Sequence, residues 1–196
     1  MTVTQNEPVV PRALSERAKN LLKHPAAEWA VIDTEPATVQ GLYRGYLCWL
    51  AAVGPVCWLI GSVVFGRTSI ASAVPTALVL YLVWLVAPYL AALAIEALAP
   101  RFGGEKNRIQ ALKVAVYAPT ASMLSGVFSL IPALSFLAIV GLYSLYLLWV
   151  GLPRLMRVPA ERAGGFYAVT LLVLIGIGIV VGLALSLPLG AMRAAP

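Results

Sequence analysis

The feature that most constrains this chain is the length of its charge-free runs. Between Arg44 and Arg67 lie 22 uncharged residues, between Arg67 and Glu96 lie 28, between Lys113 and Arg154 lie 40, and between Arg162 and Arg193 lie 30. A helix needs about 20 apolar residues to cross a hydrocarbon layer ~30 Å thick. The runs therefore hold one, one, two and one crossings. Pro132, between Ser129 and Ser135, divides the 40-residue run, because proline ends one helix and suits the first turn of the next. The sequence predicts an all-α, polytopic membrane bundle with helices near 46–66, 73–98, 112–130, 133–152 and 166–190. Residues 1–45 form an N-terminal segment, and 46–192 form the five-span membrane domain. A transmembrane β-barrel is excluded, because its strands are ~10 residues long and alternate in polarity.

Composition agrees. Charged residues make up 11 % of the chain, against ~25 % for a soluble domain, too few to cover the surface of a water-soluble protein of this size.

Orientation follows from the cations, which favour the cytoplasmic side. Twelve of the 14 Lys and Arg fall in the N-terminal segment and the second and fourth loops, which share one face under a five-span topology, leaving Arg67 and Arg193 opposite. The expectation is N-in and C-out, with the first span a retained signal anchor.

Within the N-terminal segment, Arg12 to His24 carries Leu14, Ala18, Leu21 and Leu22 at helical spacing, and Pro25 stops the helix. This reads as an amphipathic basic helix in the headgroup region, leucines down and cations toward anionic lipid, or as the same face docked on the bundle or on a partner. The basic excess of +6 is explained by topology and anionic headgroups. Nucleic acid is not expected as a partner, because the cations are spread among loops instead of forming one stripe.

Catalytic chemistry is missing from the pattern. His24 is the single histidine, Asp33 the single aspartate, and Cys48 and Cys57 lie nine residues apart in one helix, about 13 Å along its axis and too far to bridge. No phosphate-binding loop, dinucleotide fingerprint or zinc-helix motif occurs, so no enzyme activity, cofactor or metal is expected.

Several residues stand out as candidates. Glu96 is the acidic residue within reach of the hydrocarbon; it either pairs with Arg101 or a loop lysine or couples to an ion or proton. Pro55, Pro88 and Pro119 lie inside spans and free the carbonyls four residues back. Thr120, Ser122 and Ser125 surround the last of these kinks, which together could line a polar cavity or serve curved packing. Tyr143 and Tyr146 add phenols that need partners at mid-depth. Gly178, Gly182, Ser186 and Gly190 recur every fourth residue, and Ala118, Ser122 and Gly126 form a shorter ridge; such small-residue ridges let helix backbones approach in lipid. The longer ridge is expected to be a packing seam, within the chain or in a homo-oligomer.

Four strings carry a family resemblance: LAPRFGG at 98–104, ALKVAVYAPT at 111–120, LIPALS at 130–135 and, most specifically, GLYSLYLLWVGLPRLM at 141–156 followed by Val158 and Pro159. With the segment around Glu28 and Trp29, they resemble the bacterial branch of the Yip family, the Ypt/Rab-interacting membrane proteins, over roughly residues 15–190. The resemblance implies five spans and a cytoplasmic N-terminus. Eukaryotic members bind prenylated Rab-type GTPases and act in vesicle traffic and membrane shaping; the Asp-Leu-Tyr-Gly signature of several of them is absent here. Expected function is therefore a non-enzymatic membrane protein that organises or remodels the bilayer or recruits a partner to it. The alternative is a small-solute or ion transporter or channel built around the kinks and Glu96.

Overall fold

A computed structural model describes residues 13–194, with side chains to residue 184. Two short helices, α1 (Leu14–Lys23) and α2 (Pro25–Thr34), precede five long ones. These are α3 (Val39–Val64), α4 (Ile70–Phe102), α5 (Arg108–Leu130), α6 (Pro132–Leu155) and α7 (Ala160–Ala194). All five are long and apolar enough to cross a membrane, so the five-span reading holds. Starts follow capping rules: Thr38, Ser69 and Asn107 accept from the backbone N–H of Gly41, Ser72 and Gln110. Gly103 closes α4 in the left-handed region at φ 78°.

Proline acts differently at different positions. Pro119 breaks α5, which is α-helical over Arg108–Tyr117, restarts at Thr120–Ser125 and tightens to a 3₁₀-helix over Gly126–Leu130. Pro55 and Pro88 stay within continuous α-helix. The first half of α6, Pro132–Leu142, is a 3₁₀-helix where an α-helix is expected. Its residues carry no signal separating the two helix types.

Helix α5 is the centre of the bundle. Two thirds of its apolar window is buried, against at most a third for any other long helix. The main core lies at one end, where Leu21, Trp29, Leu47, Ile95, Leu112, Leu152 and Phe166 are inaccessible to solvent. That end also gathers the cation-rich segments. The backbone N–H of Glu105 donates to the Met156 carbonyl at 2.8 Å, and Asp33 pairs with Arg157 at 2.9 Å.

Within the chain, the described glycines of the longer ridge meet no neighbour. A Cβ built on Gly178 or Gly182 meets nothing within 4 Å, so the described part of that ridge faces open space; Ser186 and Gly190 lie outside the described side chains. Close backbone approach occurs between α3 and the end of α5, where a Cβ on Gly61 would stand 2.5 Å from the Leu130 carbonyl oxygen and one on Gly126 2.5 Å from the Gly54 Cα. The shorter ridge is thus the one used, since Gly126 belongs to it. Spacing alone does not tell which ridge finds a neighbour. Gly61→Ala is accordingly expected to lower the melting temperature in detergent, overpacking typically costing ~1–3 kcal/mol. Gly182→Ala should leave it equal or slightly higher, because Ala is the better helix former by ~1 kcal/mol. The reverse order would refute this assignment of the seam.

Candidate functional site: a charged cavity beneath the N-terminal hairpin

The helices α1 and α2 fold back on each other around a buried arginine. Arg17 lies three residues after Leu14 and four before Leu21, on the same face as both, and is 3 % exposed. Its Nη1 donates to Glu28 Oε1 at 2.9 Å and its Nη2 to Glu35 Oε2, while the guanidinium sits 5.5 Å from the centre of the Tyr117 ring. Ala18 and Leu21 of that face are buried in the core cluster, which is the docked one of the two readings. A guanidinium in that face requires carboxylates, and α2 and the segment after it supply them. Pointing outward are Glu16, Lys19, Lys23 and the half-exposed Leu22.

Three further contacts latch the hairpin. Lys113 of α5 caps the C-terminal end of α2, its ammonium donating to the carbonyls of Ile32 at 2.8 Å and Glu35 at 2.6 Å and, more weakly, Asp33 at 3.5 Å. These carbonyls lack helical partners and carry the negative end of the helix dipole, so a buried cation is well placed there. Asp33 accepts from Arg157 Nη1 and Gln110 Nε2, with Arg154 Nε at 3.8 Å. Arg157 holds a left-handed backbone, φ 54°, uncommon for a residue with a Cβ; its pairing with Asp33 helps hold it there. Trp29 fills the notch left by Gly151 on α6, its ring lying against the position a Cβ would take.

Between this hairpin and the openings of α3 and α5 lies a cavity of about 360 Å³, lined by Arg17, Glu35, Thr38, Tyr46, Lys113 and Tyr117. None of the charged groups around it was singled out from the sequence. The available signal was the placement of Arg17 among leucines, which marks a charge that folding must bury.

The residues that the sequence does single out are divided between other places. Thr120 is fully buried, bonded to the Tyr46 hydroxyl at 2.8 Å and donating to the Tyr117 carbonyl at 2.6 Å. Pro88, Pro119, Gly178 and Gly182 line a separate apolar groove of about 670 Å³ between α4, α5, α6 and α7. Ser122 and Ser144 also reach that groove but bond to each other at 3.0 Å. Tyr143 donates to the Leu22 carbonyl at 3.2 Å and packs at 5.4 Å from Tyr146, which is half exposed. Glu96 pairs with Arg108 Nε at 2.8 Å, not with Arg101 or a loop lysine. Its depth explains this: 26 residues separate it from Ile70, about 39 Å of helix, so with Ile70 at the far hydrocarbon edge Glu96 lies beyond a ~30 Å core.

The sequence model of the Yip1 domain matches residues 19–183, from α1 through α7. The chain belongs to the Yip1 domain family. Inner membrane protein YohC of Escherichia coli K12 is 26 % identical over 164 residues, covering 77 % of this chain and 84 % of that protein. YohC of E. coli O6:H1, strain CFT073, matches to the same extent. No solved structure matches. With its five apolar helices, this Yip-family chain is a multi-pass protein of the inner membrane.

Proposed function

We propose that this protein is a non-enzymatic organiser of the membrane, acting at its cation-rich face, and that this face is cytoplasmic, with the N-terminus in and the C-terminus out. The observation that carries the reading is the docked hairpin. It adds two helices to one end of a five-helix bundle whose other end has short connections at Phe65–Ser69 and Ile131. A body wider at one end displaces more lipid in one leaflet than in the other and favours curvature. Exposed Lys19, Lys23, Arg44, Lys106 and Arg162 surround the wide end, and cations near an anionic surface attract it by about 1 kcal/mol each. A protein partner or a second copy recruited to the membrane would meet the same face.

The test is reconstitution of the full chain into liposomes. With anionic lipid, vesicle diameter is expected to fall as protein density rises, and the effect should weaken in neutral lipid and in a Lys19→Gln/Lys23→Gln variant. Ion flux should equal that of protein-free vesicles and be unaffected by Glu96→Gln. Unchanged vesicle size, or a flux abolished by Glu96→Gln, would overturn the reading, the latter in favour of a transporter. Cysteine labelling in whole cells should find the loop at Lys106 shielded and the loop at Thr68 accessible; the reverse would overturn the orientation.

A further inference from the structure

Around the cavity beneath the hairpin, the cations are already engaged while several acceptors are not. Lys113 directs its ammonium at three backbone carbonyls, and the Nη1 and Nη2 groups of Arg17 each hold a carboxylate. Glu35 meets Arg17 through Oε2, and among the described residues its Oε1 has no hydrogen-bond partner. Thr120 gives its one hydroxyl proton to the Tyr117 carbonyl, so in the Tyr46–Thr120 contact the phenol must donate, leaving the Tyr46 oxygen free to accept. Tyr117 is 8 % exposed and lines the cavity, yet among the described residues its phenol makes no hydrogen bond.

A carboxylate oxygen and two phenols around one cavity suit a small cation that donates hydrogen bonds, and the aromatic faces add cation–π attraction. The rim consists of exposed Pro36, Thr38, Gly41 and Gly45 at the opening of the apolar helix α3, one turn before exposed Trp49. We propose that this cavity binds a primary ammonium group, with Glu35, Tyr46 and Tyr117 as its acceptors, and that the ethanolamine headgroup of a surrounding lipid supplies it. The inference does not rest on the role in bilayer shaping proposed above.

The phenol of Tyr117 provides the test, because no hydrogen bond of the fold depends on it. Its ring contacts with Trp29, Tyr46 and Arg17 survive in Tyr117→Phe. The purified full chain is melted in detergent micelles titrated with phosphatidylethanolamine, phosphatidylcholine or phosphatidylglycerol. Wild type should be stabilised saturably by phosphatidylethanolamine. Phosphatidylcholine should have little effect, since its quaternary ammonium has no N–H. Tyr117→Phe should melt with the wild type in plain detergent but need roughly tenfold more phosphatidylethanolamine, as expected for loss of one hydrogen bond to a charged group. Equal response of the two proteins would overturn the site, and so would stabilisation by phosphatidylglycerol or phosphatidylcholine matching that by phosphatidylethanolamine. Soluble phosphoethanolamine acting equally well, with the same loss in Tyr117→Phe, would support the ammonium site and overturn its lipid source.

Discussion

Trp29→Ala should release the N-terminal hairpin from the bundle. Trp29 is inaccessible to solvent, packs edge-on to Tyr117 with ring centres 6.5 Å apart, and occupies the space opened by Gly151. Its indole N–H has no hydrogen-bond partner among the described residues, so truncation forfeits apolar burial and contact, not a hydrogen bond. Trp→Ala in a core costs ~3–5 kcal/mol. At 1.4 kcal/mol per factor of ten, the opened fraction rises more than about a hundredfold. Amide hydrogen exchange across residues 14–34 should report that rise while the membrane-facing helices stay protected. Unaltered exchange in α1 and α2 would refute the docked hairpin. The reciprocal change is Gly151→Ala, which places a methyl group against the indole ring; its cost should shrink in a Trp29→Phe background if the two positions share one space.

The second large effect is expected at Arg17. Arg17→Met removes the guanidinium from Glu28 and Glu35, and breaking a buried ion pair from one side costs ~3–5 kcal/mol because a charge is left behind in a poorly solvated site. Adding Glu28→Gln and Glu35→Gln should recover much of the loss, since a neutral cluster needs no counter-charge. Thermal melting in detergent distinguishes the cases: a large drop for the single variant and a smaller one for the triple. An Arg17→Met protein as stable as wild type would mean that the cluster contributes little. Salt provides an internal contrast. The pairs of Asp33 with half-exposed Arg154 and Arg157 should weaken as salt rises, whereas the buried Arg17 cluster should be far less sensitive.

Within the fold, legibility in sequence followed the type of force involved. Hydrocarbon has a fixed thickness and tolerates few charges, so the uncharged runs predict all five long helices and the divider at Pro132. Proline alone did not foretell the break at Pro119, because Pro55 and Pro88 lack the same N–H and stay within continuous α-helix. Glu96 needed one more step: its charge was visible, but its partner Arg108 depended on where the next helix begins. The ridge at Gly178 and Gly182 meets no neighbour within the chain, because small residues permit close approach without supplying the neighbour that uses it. The same spacing at Gly126 does find one, in Gly54.

The candidate site was least legible, for a related reason. Arg17, Glu28, Glu35, Asp33 and Lys113 come from three separate stretches of chain, and all but Arg17, which stands among leucines, read alone as ordinary solvated charges. By itself the sequence determined the membrane class, the number of long apolar helices and the family, since lipid solvation and proline chemistry act on residues close together in the chain; the helix that begins at Pro25 was not foreseen. Only the tertiary structure decided that the first helix turns its leucines inward, that its arginine is neutralised by α2, and that a cavity remains between them. Those outcomes depend on long-range charge pairing and on a tryptophan meeting a glycine 122 residues away, and no local pattern encodes either.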